Sequence, residues 1–95
     1  MRETKIKIKD QFVLGLEINL PHANLVLAIA PKGFVCCGYL DLSTSEKLSD
    51  AACVVRGVKT VEDLLKAKVA GLTGPAASLG IKEGMSGQEA LELML

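Results

Sequence analysis

Residues 5–20 read KIKIKDQFVLGLEINL, and their pattern is the strongest indication of how the chain folds. Lysine alternates with isoleucine over residues 5–9. From Phe12 onwards an apolar residue recurs at every second position, at Leu14, Leu16, Ile18 and Leu20. A period of two is the signature of a β-strand with one buried face. Asp10-Gln11 separates the two runs and indicates a short turn, so the stretch predicts two neighbouring strands.

Two more strands are predicted directly downstream. Pro21–Asn24 interrupts the alternation and reads as a loop. Leu25–Ala30 is apolar at every position, which predicts a central strand covered on both faces. Pro31–Gly33 is a hairpin-type connector, and Phe34–Leu40 is predicted as the next strand. The first half of the chain therefore predicts an antiparallel meander of about four strands.

The second half carries helix signals instead. Three hydroxyl residues each stand three positions before an acid, as at a helix N-cap: Ser43 before Glu46, Thr60 before Asp63, and Ser86 before Glu89. A further short helix is predicted at Pro75–Leu79, and short strands at Cys53–Val55 and Val69–Thr73. Strands followed by helices predict an α+β fold, one domain over residues 1–95, with the helices packed on one face of the sheet.

Composition narrows the class of function. Hydrophobic residues make up 49% of 95 positions with only three aromatic residues among them, and this aliphatic excess favours a homo-oligomer interface. Eleven basic residues balance eleven acidic ones, so the charge excess typical of nucleic-acid binding is missing. The longest apolar run, Leu25–Ala30, is far shorter than the roughly 20 residues of a membrane span. Without a signal-peptide pattern, we expect a cytoplasmic protein.

The three cysteines are expected to be free thiols. Neighbours in a strand point to opposite faces, so Cys36 and Cys37 cannot share a metal ion, and we predict neither a metal nor a cofactor. Burial as small hydrophobic residues is the favoured interpretation. The alternative is a reactive thiol at Cys37, with His22 or Asp41 nearby as the other candidate catalytic residues.

Anion binding is a further possibility. Arg56 could form an ion pair or hold an anion, and glycines stand at two predicted helix starts, around Gly74 and at Ser86-Gly87. Neither helix start matches a phosphate-binding loop or a dinucleotide fingerprint. These glycines are also accounted for as turn and cap residues.

Three blocks of sequence resemble the YunC-like family of small bacterial and archaeal proteins of unknown function. They are Gly33-x-x-x-Cys37-Gly38-x-Leu40-Asp41, Arg56-Gly57-Val58-Lys59-Thr60-Val61-Glu62-Asp63-Leu64-Leu65 and Leu79-Gly80-Ile81-x-x-Gly84-Met85-Ser86-Gly87-x-Glu89-Ala90-Leu91. The resemblance runs along nearly the whole chain. It implies a compact α+β domain whose N-terminal strands take part in homo-oligomer assembly, as a tetramer. The family's cysteine aligns with Cys37, and Cys36 is extra.

The best-supported hypothesis is a homo-oligomeric module that binds a small ligand or a partner. A thiol-dependent enzyme or redox-responsive protein using Cys37 is the alternative, and anion or nucleotide binding at a glycine-rich helix start is the weaker one. The sequence leaves open whether the protein is an enzyme.

Overall fold

The computed structural model describes residues 1–95 and contains one six-stranded sheet and four short helices. The strands are β1 Arg2–Ile8, β2 Gln11–Asn19, β3 Asn24–Ala30, β4 Gly33–Cys36, β5 Ala51–Val54 and β6 Gly71–Leu72. The helices are α1 Leu42–Lys47, α2 Val61–Lys66, α3 Gly74–Ser78 and α4 Gly87–Leu93. This is an α+β fold, as the order of strand and helix patterns predicts.

The strands lie side by side in chain order, from β1 to β6. Strands β1 to β4 form an antiparallel meander, which confirms the prediction for the N-terminal half. Helix α1 then carries the chain across, so that β5 pairs parallel to β4, and β6 pairs antiparallel to β5. The sheet is therefore mixed, and its two edges are β1 and β6.

Side-chain caps set where the helices begin. Thr60 caps α2, and Ser86 and Glu89 form a complete capping box on α4, as predicted. The predicted start of α1 at Ser43 is wrong. The cap is Asp41, whose carboxylate accepts hydrogen bonds from the backbone N–H and the hydroxyl of Ser43, both at 2.9 Å. Aspartate ranks with serine as a capping residue, and here it stands two positions earlier.

Strand β4 is shorter than the predicted Phe34–Leu40, because it ends at Cys36. The backbone N–H of Cys37 still donates to the carbonyl of Val26 at 3.0 Å, but from Gly38 the chain turns away, with Leu40 N–H donating to the Cys37 carbonyl at 3.4 Å. This turn makes the residues after β4 part of a loop cluster at one end of the sheet.

One face of the sheet, the inner face, carries the main core. Helices α2 and α4 pack against it, and α3 contributes Ala76. The fully buried side chains of this core include Val26, Val35, Val55, Leu64, Ile81, Leu91 and Met94. Helix α1 lies on the opposite side of the sheet, where the Leu42 side chain lies against Gly71 of β6.

The opposite face, which we call the outer face, is largely open. Its apolar side chains stand opposite one another across β2, β3 and β4: Leu14 faces Ile29, Ile29 faces Phe34, and Leu16 faces Leu27. Ile29 is 41% exposed, so the prediction that β3 is covered on both faces is wrong for the single chain. Helix α1 covers this face only near β5. None of the four helices is long and apolar enough to cross a membrane.

Candidate functional site

A cleft of about 700 Å³ opens at one end of the sheet. Three loops surround it: the β2–β3 loop, the turn that follows β4, and the segment between β5 and α2. We call it the loop cleft, and its lining residues are Leu20, His22, Ala23, Asn24, Cys37, Gly38, Tyr39, Gly57, Val58 and Lys59. A volume of this size lies within the range of small-molecule sites.

Two of the candidate residues from the sequence, His22 and Cys37, line the loop cleft. His22 is exposed in the β2–β3 loop, and Cys37 is 5% exposed at the cleft wall. The sulfur of Cys37 accepts a hydrogen bond from the Val26 backbone N–H at 3.4 Å, and its S–H is directed at the Asn24 carbonyl oxygen, 3.9 Å away. These contacts hold the thiol in the β3–β4 region while one side of it borders the cleft.

The other two thiols lie outside the cleft and are buried. Burial in apolar surroundings raises the pKa of Cys36 to about 12, with smaller contributions from the neighbouring Cys37 and Cys53. Burial likewise raises the pKa of Cys53 to about 11. All three cysteines are unpaired. Because the thiolate is the nucleophilic form, Cys36 and Cys53 are packing residues.

The segment after β5 brings two cations to the cleft. Lys59 lines it, and a Cβ atom added to Gly38 would lie 3.2 Å from the Nη1 atom of Arg56, so the Arg56 guanidinium lies over this glycine. Both residues are exposed. The ion pairs in the structure all involve Arg2, so neither Arg56 nor Lys59 is bound to a carboxylate.

Backbone contacts hold this segment in place. The side-chain amide of Asn24 donates to the Lys59 carbonyl at 2.9 Å, which ties the start of β3 to the segment. The Lys59 N–H donates to the carboxylate of Asp63 at 3.2 Å. Gly57 has φ of +73° with open space around the position of a Cβ, so the chain turns there in a conformation that favours glycine.

Asp41, the remaining catalytic candidate, is engaged in capping. Its oxygens accept from Ser43 and from the Thr44 hydroxyl, the latter at 3.3 Å. These hydrogen bonds, with that from Ser43 the strongest, lower the pKa of the Asp41 carboxyl. The residue is absent from the cleft lining, so the geometry gives it a structural role.

The helix-start candidates also lie outside the loop cleft. The N–H of Gly74 donates to the Glu46 carboxylate at 2.8 Å, so a carboxylate of the same chain already occupies that helix start. Ser86 exchanges hydrogen bonds with Glu89 in the capping box. Gly87 is buried, and a Cβ there would overlap with the Leu64 carbonyl oxygen. The two glycines and the serine are accounted for by packing and capping.

Sequence reasoning missed Asn24, Tyr39 and Lys59 as members of the site. Tyr39 falls within the predicted strand Phe34–Leu40, whereas in the structure it lies beyond the end of β4 and is 52% exposed. The available signal was composition, because Tyr39 is the only tyrosine and stands next to a glycine. No local pattern indicated that Asn24 and Lys59, 35 residues apart, would be hydrogen-bonded.

Comparison with known proteins gives a consistent result. Residues 36–94 match a family described as a domain of unknown function, DUF1805. The chain is 38% identical over 96 aligned residues to the uncharacterized protein YunC of Bacillus subtilis, covering 97% of this chain and 95% of that protein. It also matches the crystal structure of a protein of unknown function from Thermoplasma acidophilum. That match has a TM-score of 0.94 and 32% identity, and it covers 99% of this chain and 92% of the other.

Proposed function

The chain belongs to the YunC-like family, whose shared domain has no known function, and we propose that it is a homo-oligomeric binding module. Copies pair through the outer face of the sheet, and the loop cleft accepts a small molecule. The open outer face supports the proposed assembly. The loop cleft supports a binding function, because it is a concave site of suitable volume lined by both apolar and polar groups.

The outer face exposes side chains that a single chain leaves in water. Phe12 is 61% exposed, Ile29 is 41% exposed and Leu14 is 38% exposed. Leu16, Leu27 and Phe34 lie between or beside them in the strand register and are partly buried. A continuous apolar patch of this kind marks an interaction surface. The occupant we propose is the same face of a second copy.

The size of the face supports this pairing. From Phe12 to Ile18, β2 extends about 20 Å, and the three strands β2 to β4 are about 14 Å wide, giving about 300 Å² of projected apolar area. A standard interface buries about 800 Å² on each partner, so the apolar patch supplies about a third of it and a polar rim must supply the rest.

The rim on β1 carries both signs of charge. Glu3, Lys5 and Lys7 stand opposite Leu16, Leu14 and Phe12 in the register and therefore project to the outer face. In a two-fold arrangement whose axis runs across the strands, the glutamate end of one row meets the lysine end of the other. The row is thus self-complementary, which favours a second copy over a partner of one charge sign.

A tetramer requires a second interface. Strand β1 is an edge of the sheet, and its free backbone groups can pair with β1 of another copy. Face-to-face and edge-to-edge contacts together give a tetramer with dihedral symmetry. We propose this assembly as the complete form, with the outer-face pair as its building unit.

Matched leucine substitutions test the outer-face pairing. Leu14 lies on the outer face and Leu93 on α4, on the far side of the sheet, and each is 38% exposed. Leu14→Lys places an ammonium group from each copy in the interface and removes apolar contact, so self-association should weaken by at least about a hundredfold. Leu93→Lys should leave it unchanged. Sedimentation velocity over a dilution series measures both variants, and circular dichroism checks their fold.

Equal association of the two variants would contradict the proposal, as would a wild-type protein that sediments as a monomer at all concentrations. Loss of assembly in Leu93→Lys but not in Leu14→Lys would place the interface on the helical side.

A thiol-dependent reaction at Cys37 is the second candidate function. The observation that favours it is that Cys37 alone among the three cysteines borders the loop cleft, where His22 also lies. Alkylation of the folded protein near neutral pH tests it. Rapid, selective labelling of Cys37 supports a reactive thiol, whereas labelling only after denaturation rules it out.

We also propose a cytoplasmic location. All three cysteines are free, and unpaired thiols are typical of reducing compartments. Fractionation of cells expressing the protein at native level, with detection in the soluble cytoplasmic fraction, would test this.

A further inference from the structure

We propose that the loop cleft binds a small organic anion, whose oxyanion group lies against Arg56, Lys59 and His22 and whose body packs on Tyr39. This inference rests on the proposed binding function and names the class of ligand. It places the anion at the meeting point of three loops, and not at the helix starts, where Glu46 and the capping box already satisfy the backbone.

The charge distribution supports an anionic ligand. Lys59 and His22 line the cleft, Arg56 lies beside its Gly38, and none of the ten lining residues is acidic. The whole chain has a net charge of zero, so this excess of basic groups is local. Arg56 and Lys59 have no ion-pair partner within the chain and remain available to an oxyanion.

The one carboxylate bonded to this segment does not neutralise the lysine side chain. The Asp63 carboxylate accepts from the backbone N–H of Lys59 at 3.2 Å, and the Asp63 backbone N–H donates to the Thr60 hydroxyl at 3.0 Å. Its role is to hold the start of α2. The ammonium group of Lys59 is thus free while its backbone is fixed.

The backbone that carries the cations is ordered before any ligand binds. The Asn24–Lys59 and Lys59–Asp63 hydrogen bonds fix one end of the segment. The backbone N–H of Val55 donates to the Cys36 carbonyl at 2.8 Å and fixes the other end. A site ordered in advance loses less conformational freedom on binding.

The remaining lining favours an organic body over a bare inorganic ion. Tyr39 offers an exposed ring, and Leu20 and Val58 add aliphatic surface beside it. A volume of about 700 Å³ is much larger than an inorganic phosphate needs. Carboxylates and phosphate monoesters share the oxyanion chemistry that such a site recognises, and the experiment separates them.

The test uses amide chemical-shift mapping on the isotope-labelled full chain. The probes are 4-hydroxybenzoate for the carboxylate arm, adenosine 5′-monophosphate for the phosphate arm, and adenosine and 4-hydroxybenzyl alcohol as neutral counterparts, each titrated to about 10 mM. We expect at least one anionic probe to shift the amides of Gly38, Gly57 and Lys59, and its neutral counterpart to bind about tenfold more weakly or worse.

Variants then connect affinity to the cations. The double substitution Arg56→Gln with Lys59→Gln should raise the Kd of the bound probe by at least about tenfold, because it removes both charge-assisted contacts. Lys32→Gln, an exposed lysine in the β3–β4 turn, is the matched control and should leave the Kd unchanged.

Three results would overturn the inference: no shift from any probe, shifts centred outside the cleft, or an unchanged Kd in the double variant. Sedimentation of the same samples keeps this test separate from the proposed assembly. If the protein assembles but binds no anionic probe, only the proposed ligand class is ruled out. If the wild-type protein is monomeric but binds the probe, only the proposed oligomer is ruled out.

Discussion

Replacing Thr73 with valine should destabilise the protein strongly, although the two side chains have nearly the same shape. Thr73 is 3% exposed and caps α3. Its hydroxyl donates to the Asp50 carbonyl at 2.7 Å and accepts from the backbone N–H groups of Ala52 at 3.1 Å and Ala76 at 3.4 Å. The hydroxyl oxygen of Thr73 therefore connects β5, the loop before β5 and helix α3.

The expected magnitude follows from these three bonds. Valine leaves the buried N–H of Ala52 without an acceptor, which costs about 1–3 kcal/mol. Loss of the N-cap interaction costs about 1 kcal/mol more. The sum, about 2–4 kcal/mol, is a large part of the roughly 5–15 kcal/mol by which such domains are stable, and it corresponds to a fall in Tm of about 10–20 °C.

Urea unfolding followed by far-ultraviolet circular dichroism measures the change, since the chain has no tryptophan to report on unfolding. Wild type and variants must be compared at one protein concentration, because assembly links stability to concentration. Thr73→Ser retains the hydroxyl and should lose about 1 kcal/mol or less. A valine variant within about 0.5 kcal/mol of wild type, or a serine variant as unstable as the valine variant, would show that the Thr73 hydroxyl does not stabilise the fold in this way.

Three further predictions concern packing and ionisation. Gly87→Ala should destabilise the fold by about 1–3 kcal/mol in the same urea assay, because the new methyl group would overlap the Leu64 carbonyl oxygen of α2. A variant as stable as wild type would show that α2 and α4 can move apart without cost. The thiols of Cys36 and Cys53 should resist iodoacetamide at pH 8 in the folded protein, with mass spectrometry as the readout. Burial raises their pKa values to about 12 and about 11. The stability that the two buried thiols contribute should therefore be present below about pH 8.5 and be lost as the pH rises through those values. Labelling in the folded protein as fast as in urea would show instead that the thiols are exposed. The carboxyl of Glu62 should titrate below its ordinary pKa of 4.5 when followed by NMR, because its hydrogen bond to Arg2 lowers that pKa. Its contribution to stability is present above about pH 4.5 and is lost below that. An unchanged titration midpoint in Arg2→Gln would contradict the role given to Arg2.

Residue alternation predicted the strands of the N-terminal meander correctly, but not which face of β2 is buried. The apolar residues of the alternation, such as Leu14 and Leu16, lie on the open outer face, whereas the buried face of β2 carries Val13 and Gly15. The hydroxyl–acid spacings at Thr60 and Ser86 located two helix starts within a residue. Local chemistry determined these elements, so local patterns were sufficient to predict them.

The errors occurred where non-local contacts decide the structure. β4 ends at Cys36, and Gly38 just beyond it lies beside Arg56, which follows β5, a strand that pairs in parallel with β4 after a helical crossover. α1 starts early because Asp41 outcompetes Ser43 as cap. The loop cleft combines residues from loops far apart in sequence, and no short window contains that information. The open face of β3 could not be predicted either, because an apolar run indicates burial but does not indicate whether a helix or another copy of the chain packs against it.

We propose that another copy of the chain covers the outer face of the sheet. Sedimentation equilibrium of the wild-type protein at micromolar concentration tests it most directly, because the mass obtained is independent of shape. If copies pair through the outer face, the wild-type mass is two or four times the 10.0 kDa of one chain, and it falls at least twofold for Leu14→Lys. A wild-type mass of 10.0 kDa throughout the concentration range would contradict it.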